Sequence, residues 1–386
     1  MPGLKRALKI GALSGARLLG AFAIARFATR HHVRIMCYHA GAVGDESRYN
    51  PKLFCSAELI RERMQWLTRR GFNFVSLDQA LNTLDARAPL RKLQTAVTFD
   101  DGWFTTADKL VPALSGLGIP STLYVTTEEY GRGWPVLGVT IRYALWKSGQ
   151  QRLAISDNPA FAGEYDLAST SELNTLVDKV VAWIKQSATT RAEACACLES
   201  FATSVGVPGE SLSLATRRFD FVTAEEMRAL QAQGCKVELH GHAHRYPLGD
   251  ARGFQSDLQT CHSILTDAGL AGLAHYCYPG GSFDTIAEHV LARMGVRSAT
   301  TCKPGLVTPA TSRFYLPRFL DGGSVHQLEF EAEMSGVFHL LRGVLAWREW
   351  KLFGPSAQRP LWDADLGTAS ALGNSAGGSA TADLWG

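Results

Sequence analysis

Two short polar runs carry most of the chemistry in this sequence of 386 residues. The first is Thr98-Phe99-Asp100-Asp101-Gly102, a pair of adjacent carboxylates closing an apolar stretch. Neighbouring residues on a strand point to opposite faces, so such a pair can divide its labour. One carboxylate can ligate a metal while the other takes a proton from an attacking water. A solvated Asp-Asp-Gly turn is the plainer use of the same residues. The second run is His240-Gly241-His242-Ala243-His244, with three of the eleven histidines inside five residues. An i, i+4 pair on a turn presents two imidazoles to one ion, and His242 can instead pair with either neighbour. Two His and one Asp leave coordination positions open for water, as a hydrolytic metal requires.

These runs need rigid elements behind them. From residue 33 onward, short apolar runs alternate with longer helical patterns, the signature of a parallel α/β fold. Residues 34–39, 72–77, 95–100, 121–126, 235–240, 274–279 and 297–302 read as strands. Residues 56–71 read as a helix with Ser56 as N-cap and Gly71 as stop. Thr223-x-x-Glu226 is a capping box that opens a helix ending at Gly234, and residues 284–295 repeat the design up to Gly295. Both chemical runs then fall at strand C-termini, where parallel barrels gather their catalytic loops. Between about 140 and 220 the rhythm changes to helix, which reads as an insertion into the barrel rather than a separate domain. Residues 339–353 form a further apolar-basic helix. Gly, Ala, Ser and Thr supply 19 of the 33 residues from 354 to 386, a composition expected of a disordered tail.

In order and number these motifs resemble the polysaccharide deacetylase (NodB-homology) family of carbohydrate esterases. The likeness spans most of residues 33–325: Tyr38-His39 after the opening strand, RGFNFVSLDQAL, VTFDDGW, PSTLYVT, ELHGHAH, YCYPGGSFD, and SATTCKPGLV leading to YLPRF. It implies a distorted (β/α) barrel over 31–338 and metal-dependent removal of N-acetyl groups from an aminosugar polymer or oligosaccharide. By motif, Asp101, His240 and His244 correspond to the metal ligands and Asp100 to the catalytic base. The ion implied is divalent, with Zn²⁺ favoured. Tyr38-His39 resembles the opening strand of deacetylases with permuted motif order, in which that His is the general acid. A buried core histidine is the plainer reading of His39.

Three departures from the family pattern stand out. Gly241 occupies a slot usually held by Ser or Thr, and Cys277 occupies the slot of the arginine that orients the base. No Leu-x-His follows residue 318 to supply the acid. Arg318 is the expected substitute for the missing arginine. A backbone N–H around Gly280 is the expected oxyanion donor, and Trp103, Trp134 and Tyr278 are candidates to stack on a sugar or to lie in the core. His242 becomes a supporting or substrate-facing residue. Two further readings fit the same residues: a carbohydrate-binding homologue with impaired catalysis, and an amidohydrolase acting on a non-sugar amide.

Composition and charge bound the rest. With 46% hydrophobic and 19% charged residues, the chain can build a large core without disulfides. A net charge of +3 gives no case for nucleic-acid binding. The charge is uneven, however. Residues 1–44 hold seven basic residues and no acid, leaving a net −4 on the remainder. Residues 1–30 read as a basic amphipathic helix, with Leu4, Leu8, Leu18, Leu19 and Phe22 on one side and Arg6 and Arg17 opposite. Leu13 and Ile24 fall on the Arg17 side. This segment either lies on an anionic membrane or packs on the protein's own body. No apolar run approaches the ~20 residues that span a bilayer. An A-x-A site at Ala21–Ala23 or Ala23–Ala25 would leave Arg17 inside the apolar region of a signal peptide. Eight scattered cysteines without a C-x-x-C pair favour a reducing compartment. The expected location is cytoplasmic, at the inner face of the membrane, with the periplasm as the alternative.

Overall fold

The computed structural model describes residues 2–85, 93–128 and 130–353. Eight strands build the main sheet: β1 Arg34–Tyr38, β2 Asn73–Phe74, β3 Gln94–Phe99, β4 Ser121–Val125, β5 Cys235–Leu239, β6 His275–Cys277, β7 Ser298–Thr300 and β8 Phe319–Leu320. Their order is β7-β6-β5-β4-β3-β1-β8, with β2 paired to the start of β3, and every pairing is parallel. All residues of β1, β3 and β4 are buried. A parallel sheet covered on both faces needs apolar side chains both ways, which is why these runs do not alternate. Thr300 pairs with Leu316 in a parallel bridge, and β8 pairs with β1, so residues 316–320 close the curled sheet into the expected distorted barrel.

Two features of the sheet bear directly on the site. First, β4 and β5 are neighbours in register from Ser121↔Cys235 to Val125↔Leu239, although residues 126–234 separate them in sequence. The runs that follow β3 and β5 therefore emerge on either side of the end of β4. Second, the expected strand 72–77 shrinks to Asn73–Phe74, and a helix begins at Leu77. The cause is local. Gln79 N–H donates to Ser76 Oγ while Ser76 N–H donates to Gln79 Oε1, a reciprocal cap that ends the strand.

The other start signals act as their residue types require. Ser56 Oγ accepts from Leu59 N–H, Ser169 Oγ from Glu172 N–H, and Thr223 forms the full capping box with Glu226. The insertion is not purely helical. Helices Leu137–Ser148, Thr170–Ser187 and Arg191–Ser204 share a core with an antiparallel ribbon, Arg152–Ile155 against Gly163–Asp166. That core runs continuously onto Phe54 and Trp103 of the barrel.

At the N-terminus, α1 (Pro2–Leu18) and α2 (Ala21–Ala28) are separate helices. They rest on α3 (Gln327–Ser335) and α4 (Val337–Phe353), so the expected helix 339–353 begins two residues earlier and follows another. Arg34, counted above in the basic segment, is buried and takes no part in a surface charge. Its guanidinium donates to the carbonyls of Met334, Thr29 and His32, tying the start of β1 to α3. The expected disordered tail, 354–386, lies outside the described residues.

Candidate active site

Asp100 and Asp101 follow β3 directly, and their backbones diverge at once. Asp100 N–H still bonds the Tyr38 carbonyl, which keeps this residue in strand register. Asp101 then takes φ +76° and Gly102 φ +93°. A side chain at 102 would press on Val125, whose Cγ1 lies 3.0 Å from the Cβ position, so the tight turn requires glycine. The two carboxylates are both buried yet enter different environments.

Asp100 faces Arg318, which is fully buried just before β8. Arg318 Nη1 donates to Asp100 Oδ1 and Nη2 to Oδ2, each at 2.7 Å. The fork is itself held by Thr301 O at 3.0 Å and Thr98 Oγ1 at 3.1 Å. Burial alone would raise the Asp100 carboxyl, but the Arg318 charge holds it well below the usual carboxylate range. Cys37 Sγ and Cys277 Sγ flank the same Oδ2 at 3.4 and 3.5 Å.

Asp101 faces the histidines. Its Oδ1 lies 3.2 Å from His240 Nε2 and 3.1 Å from His244 Nε2. Its Oδ2 accepts the Trp103 indole N–H at 2.9 Å. Burial opposes ionisation of Asp101, but the two imidazoles bring its pKa well below the ordinary value. A divalent ion fits this donor set, and the reason is a proton count. His240 Nδ1 lies 2.9 Å from the Cys277 carbonyl, which can only accept, so Nδ1 carries the hydrogen. Nε2 of a neutral His240 would then be a lone pair aimed at a carboxylate oxygen, so a proton or a cation must stand between them. Burial opposes charge on His240, yet its neighbours raise its pKa well above the usual imidazole value. A divalent ion shared by Asp101, His240 and His244 would take that proton's place.

His39 follows β1 and is half-buried, with a ring nitrogen within 4.8 Å of both Asp100 and Cys37. Gly280 lies exposed at the apex of the turn Pro279–Gly281, beyond β6.

Among solved structures, IcaB from Ammonifex degensii superposes with a TM-score of 0.51 at 17% identity, covering 79% of this chain and 97% of that one. The Streptococcus pyogenes deacetylase PplD, in complex with acetate, gives 0.52 at 14% identity, over 79% of this chain and 99% of its own. The fold is that of the polysaccharide deacetylases. No family model matches the sequence, and no curated protein is similar to it at the sequence level.

Within the deacetylase fold, both substitutions noted in the sequence have a physical counterpart. Arg318 Nη2 lies 3.0 Å from Cys277 Sγ, so an arginine from β8 reaches the place where one from the β6 motif would otherwise lie. Gly241, at φ +79°, is explained by Asp257 on helix Ala251–Asp267. That carboxylate accepts from the N–H groups of His242 and Ala243, both at 2.8 Å, and so braces the His240–His244 turn. A Cβ at 241 would stand 2.9 Å from Asp257 Oδ2. Sequence reading missed Asp257, because its spacing from the histidine run carries no local signal. Gly241→Thr is expected to destabilise the protein by about 2 kcal/mol, from the left-handed backbone and the displaced carboxylate. Thermal denaturation checks the cost, and a parallel Zn²⁺ titration checks that the histidine turn loosens with it.

Three expected sugar contacts are corrected. Trp103 and Tyr278 are 0% exposed and Trp134 is 6% exposed, so none presents a face to a substrate. Trp103 packs between Phe54 and Phe221 and uses its indole to hold Asp101. Tyr278 packs edge-on against Tyr246 and Tyr276, tilted against Phe283, and stacked on Tyr315. An aromatic next to a catalytic motif fills the core when its neighbours close over it, which sequence spacing does not reveal. His242 points away from the cluster, with Nδ1 3.0 Å from Thr127 Oγ1 and its carbonyl accepting from Glu128 N–H.

Proposed function

We propose that this protein is a metal-dependent hydrolase that removes N-acetyl groups from an aminosugar-containing polysaccharide or oligosaccharide. One observation carries the reading. Asp101 Oδ1 meets two imidazole nitrogens while the adjacent Asp100 is braced separately by Arg318, giving a ligand set and a base side by side. Asp101, His240 and His244 would hold the ion, for which Zn²⁺ suits the mixed nitrogen and oxygen donors, and when bound it supplies Lewis-acid polarisation of the acyl carbonyl.

Asp100 accepts the proton of the attacking water, and Arg318 keeps it ionised and aimed. His39, whose ring nitrogen lies within 4.8 Å of Asp100, is the group placed to give a proton to the departing amine. The exposed Gly280 N–H is the donor for the developing oxyanion. Free thiols at all eight cysteines, two of them against Asp100, support a reducing compartment.

Metal-loaded protein is expected to release acetate from N-acetylglucosamine oligomers, and Asp100→Ala to lower the rate about 100-fold or more. Tight sugar binding with no acetate from any oligomer would overturn the hydrolase reading in favour of a binding protein.

A further inference from the structure

Helix α1 is mounted with its polarity reversed. Two of its basic residues reach down to the protein although their side chains stay about half exposed: Lys9 Nζ meets Glu329 at 2.8 Å and Arg17 Nε meets Glu331 at 3.2 Å, both acids belonging to α3. Leu13, on the same side, is buried with Phe22 and Ala332. The opposite face holds Leu4 and Leu8, exposed at 69% and 66%, and Leu19, in the junction just after the helix, is exposed at 85%. Among the described residues, fourteen large apolar side chains are exposed, and ten of them lie on α1, α2, their junction and the first turns of α4. Beyond α1 they include Ile24, Phe27, Leu341 and Val344. A helix that faces only water buries its apolar side and leaves its charges outward. This one leaves a row of leucines outward and uses two of its charges in contacts with the protein.

The rim of that surface is cationic. The Arg30 guanidinium lies 3.9 Å over the ring of exposed Phe27, and Arg26 precedes that residue in the chain. Burial lowers the pKa of Arg70, Glu331 opposes that, and the charges of Arg26 and Arg69 add to the lowering, which places them near it. An apolar centre bordered by guanidinium groups is complementary to acyl chains beneath anionic headgroups.

We propose that the face formed by α1, α2 and the start of α4 docks on an anionic phospholipid bilayer, lying in its surface without crossing it. No single described helix is long and apolar enough to span a membrane; α1 and α2 reach that length and composition only together, across a 75° bend. The inward ion pairs to Glu329 and Glu331 also tie α1 to the barrel, whereas a spanning helix would have to leave them. α2 leads into the start of β1 and His39 follows its other end, so the length of the strand separates that junction from the site. Docking would hold the enzyme at a membrane surface, beside substrate attached there or released from it.

Flotation of the full chain with vesicles tests this independently of any activity. The protein is expected to float with vesicles containing phosphatidylglycerol, less so as salt is raised, and to stay behind with phosphatidylcholine alone. Leu4→Glu/Leu8→Glu/Leu19→Glu is expected to reduce binding about tenfold or more with an unchanged Tm, since these side chains are mostly exposed. Arg26→Glu/Arg69→Glu is expected to reduce binding to the anionic vesicles and leave the apolar face intact. A wild-type chain that ignores both vesicle types would overturn the proposal. So would variants that float like wild type. A lipid-free dimer dissolved by the leucine variant, or vesicle binding that appears only after removal of 354–386, would assign the face to a second copy or to the chain's own C-terminal segment.

Discussion

Replacing Arg318 with Met is expected to cost about 3–5 kcal/mol of stability at neutral pH, because it leaves the buried Asp100 carboxylate without its partner. The same substitution is expected to lower deacetylation about 100-fold or more, since a base that has lost its fork is neither ionised nor aimed. The pH dependence separates the charge from packing. In the wild type the Asp100 pKa is depressed, so its contribution is complete above the unfolded value of ~3.9 and is lost as pH falls below it. In the variant, burial without Arg318 raises the Asp100 pKa above the unfolded value. The variant's deficit is therefore largest near neutrality and narrows as acid protonates the buried group. Denaturant titrations at a series of pH values measure this. A deficit independent of pH would show that Arg318 matters only as volume.

The second large effect concerns the ion. Zn²⁺ added to metal-free protein is expected to raise Tm, by the equivalent of about 2.7 kcal/mol at 100 times the dissociation constant. His244→Asn is expected to weaken that binding about 100-fold or more, because it deletes one of three donors. Asn suits the left-handed backbone, φ +49°, that His244 occupies, so the fold should tolerate it. Affinity should fall as pH drops, since the imidazoles bind only when neutral. Calorimetric titration of both proteins reads stoichiometry and affinity together. Equal Zn²⁺ stabilisation of wild type and variant would move the ion away from Asp101, His240 and His244.

These two experiments touch residues that differed greatly in how visible they were beforehand. Asp100, Asp101, His240 and His244 stand in two short runs, and strand alternation already separates the roles of adjacent carboxylates. The parallel barrel was equally legible, because continuous apolar strands, capping residues and helix-ending glycines are local properties. Ser56, Ser169 and Thr223 cap the helices that their side-chain oxygens favour whatever lies around them.

Other features depend on contacts between distant parts of the chain. Arg318 meets Asp100 across 218 residues, a pairing inferred from a missing arginine and given its geometry by barrel closure. Asp257 reaches the histidine turn from a helix with no motif of its own. Trp103 and Tyr278, set beside the candidate site residues in sequence, are buried by neighbours that sequence distance does not predict. The N-terminal helix shows the division most plainly. Its opposed leucine and basic faces were evident from a 3.6-residue period, which states that two faces exist. Which face meets the protein depended on Glu329 and Glu331, more than 300 residues away, because orientation is set by the partner's charges and not by the helix's own pattern.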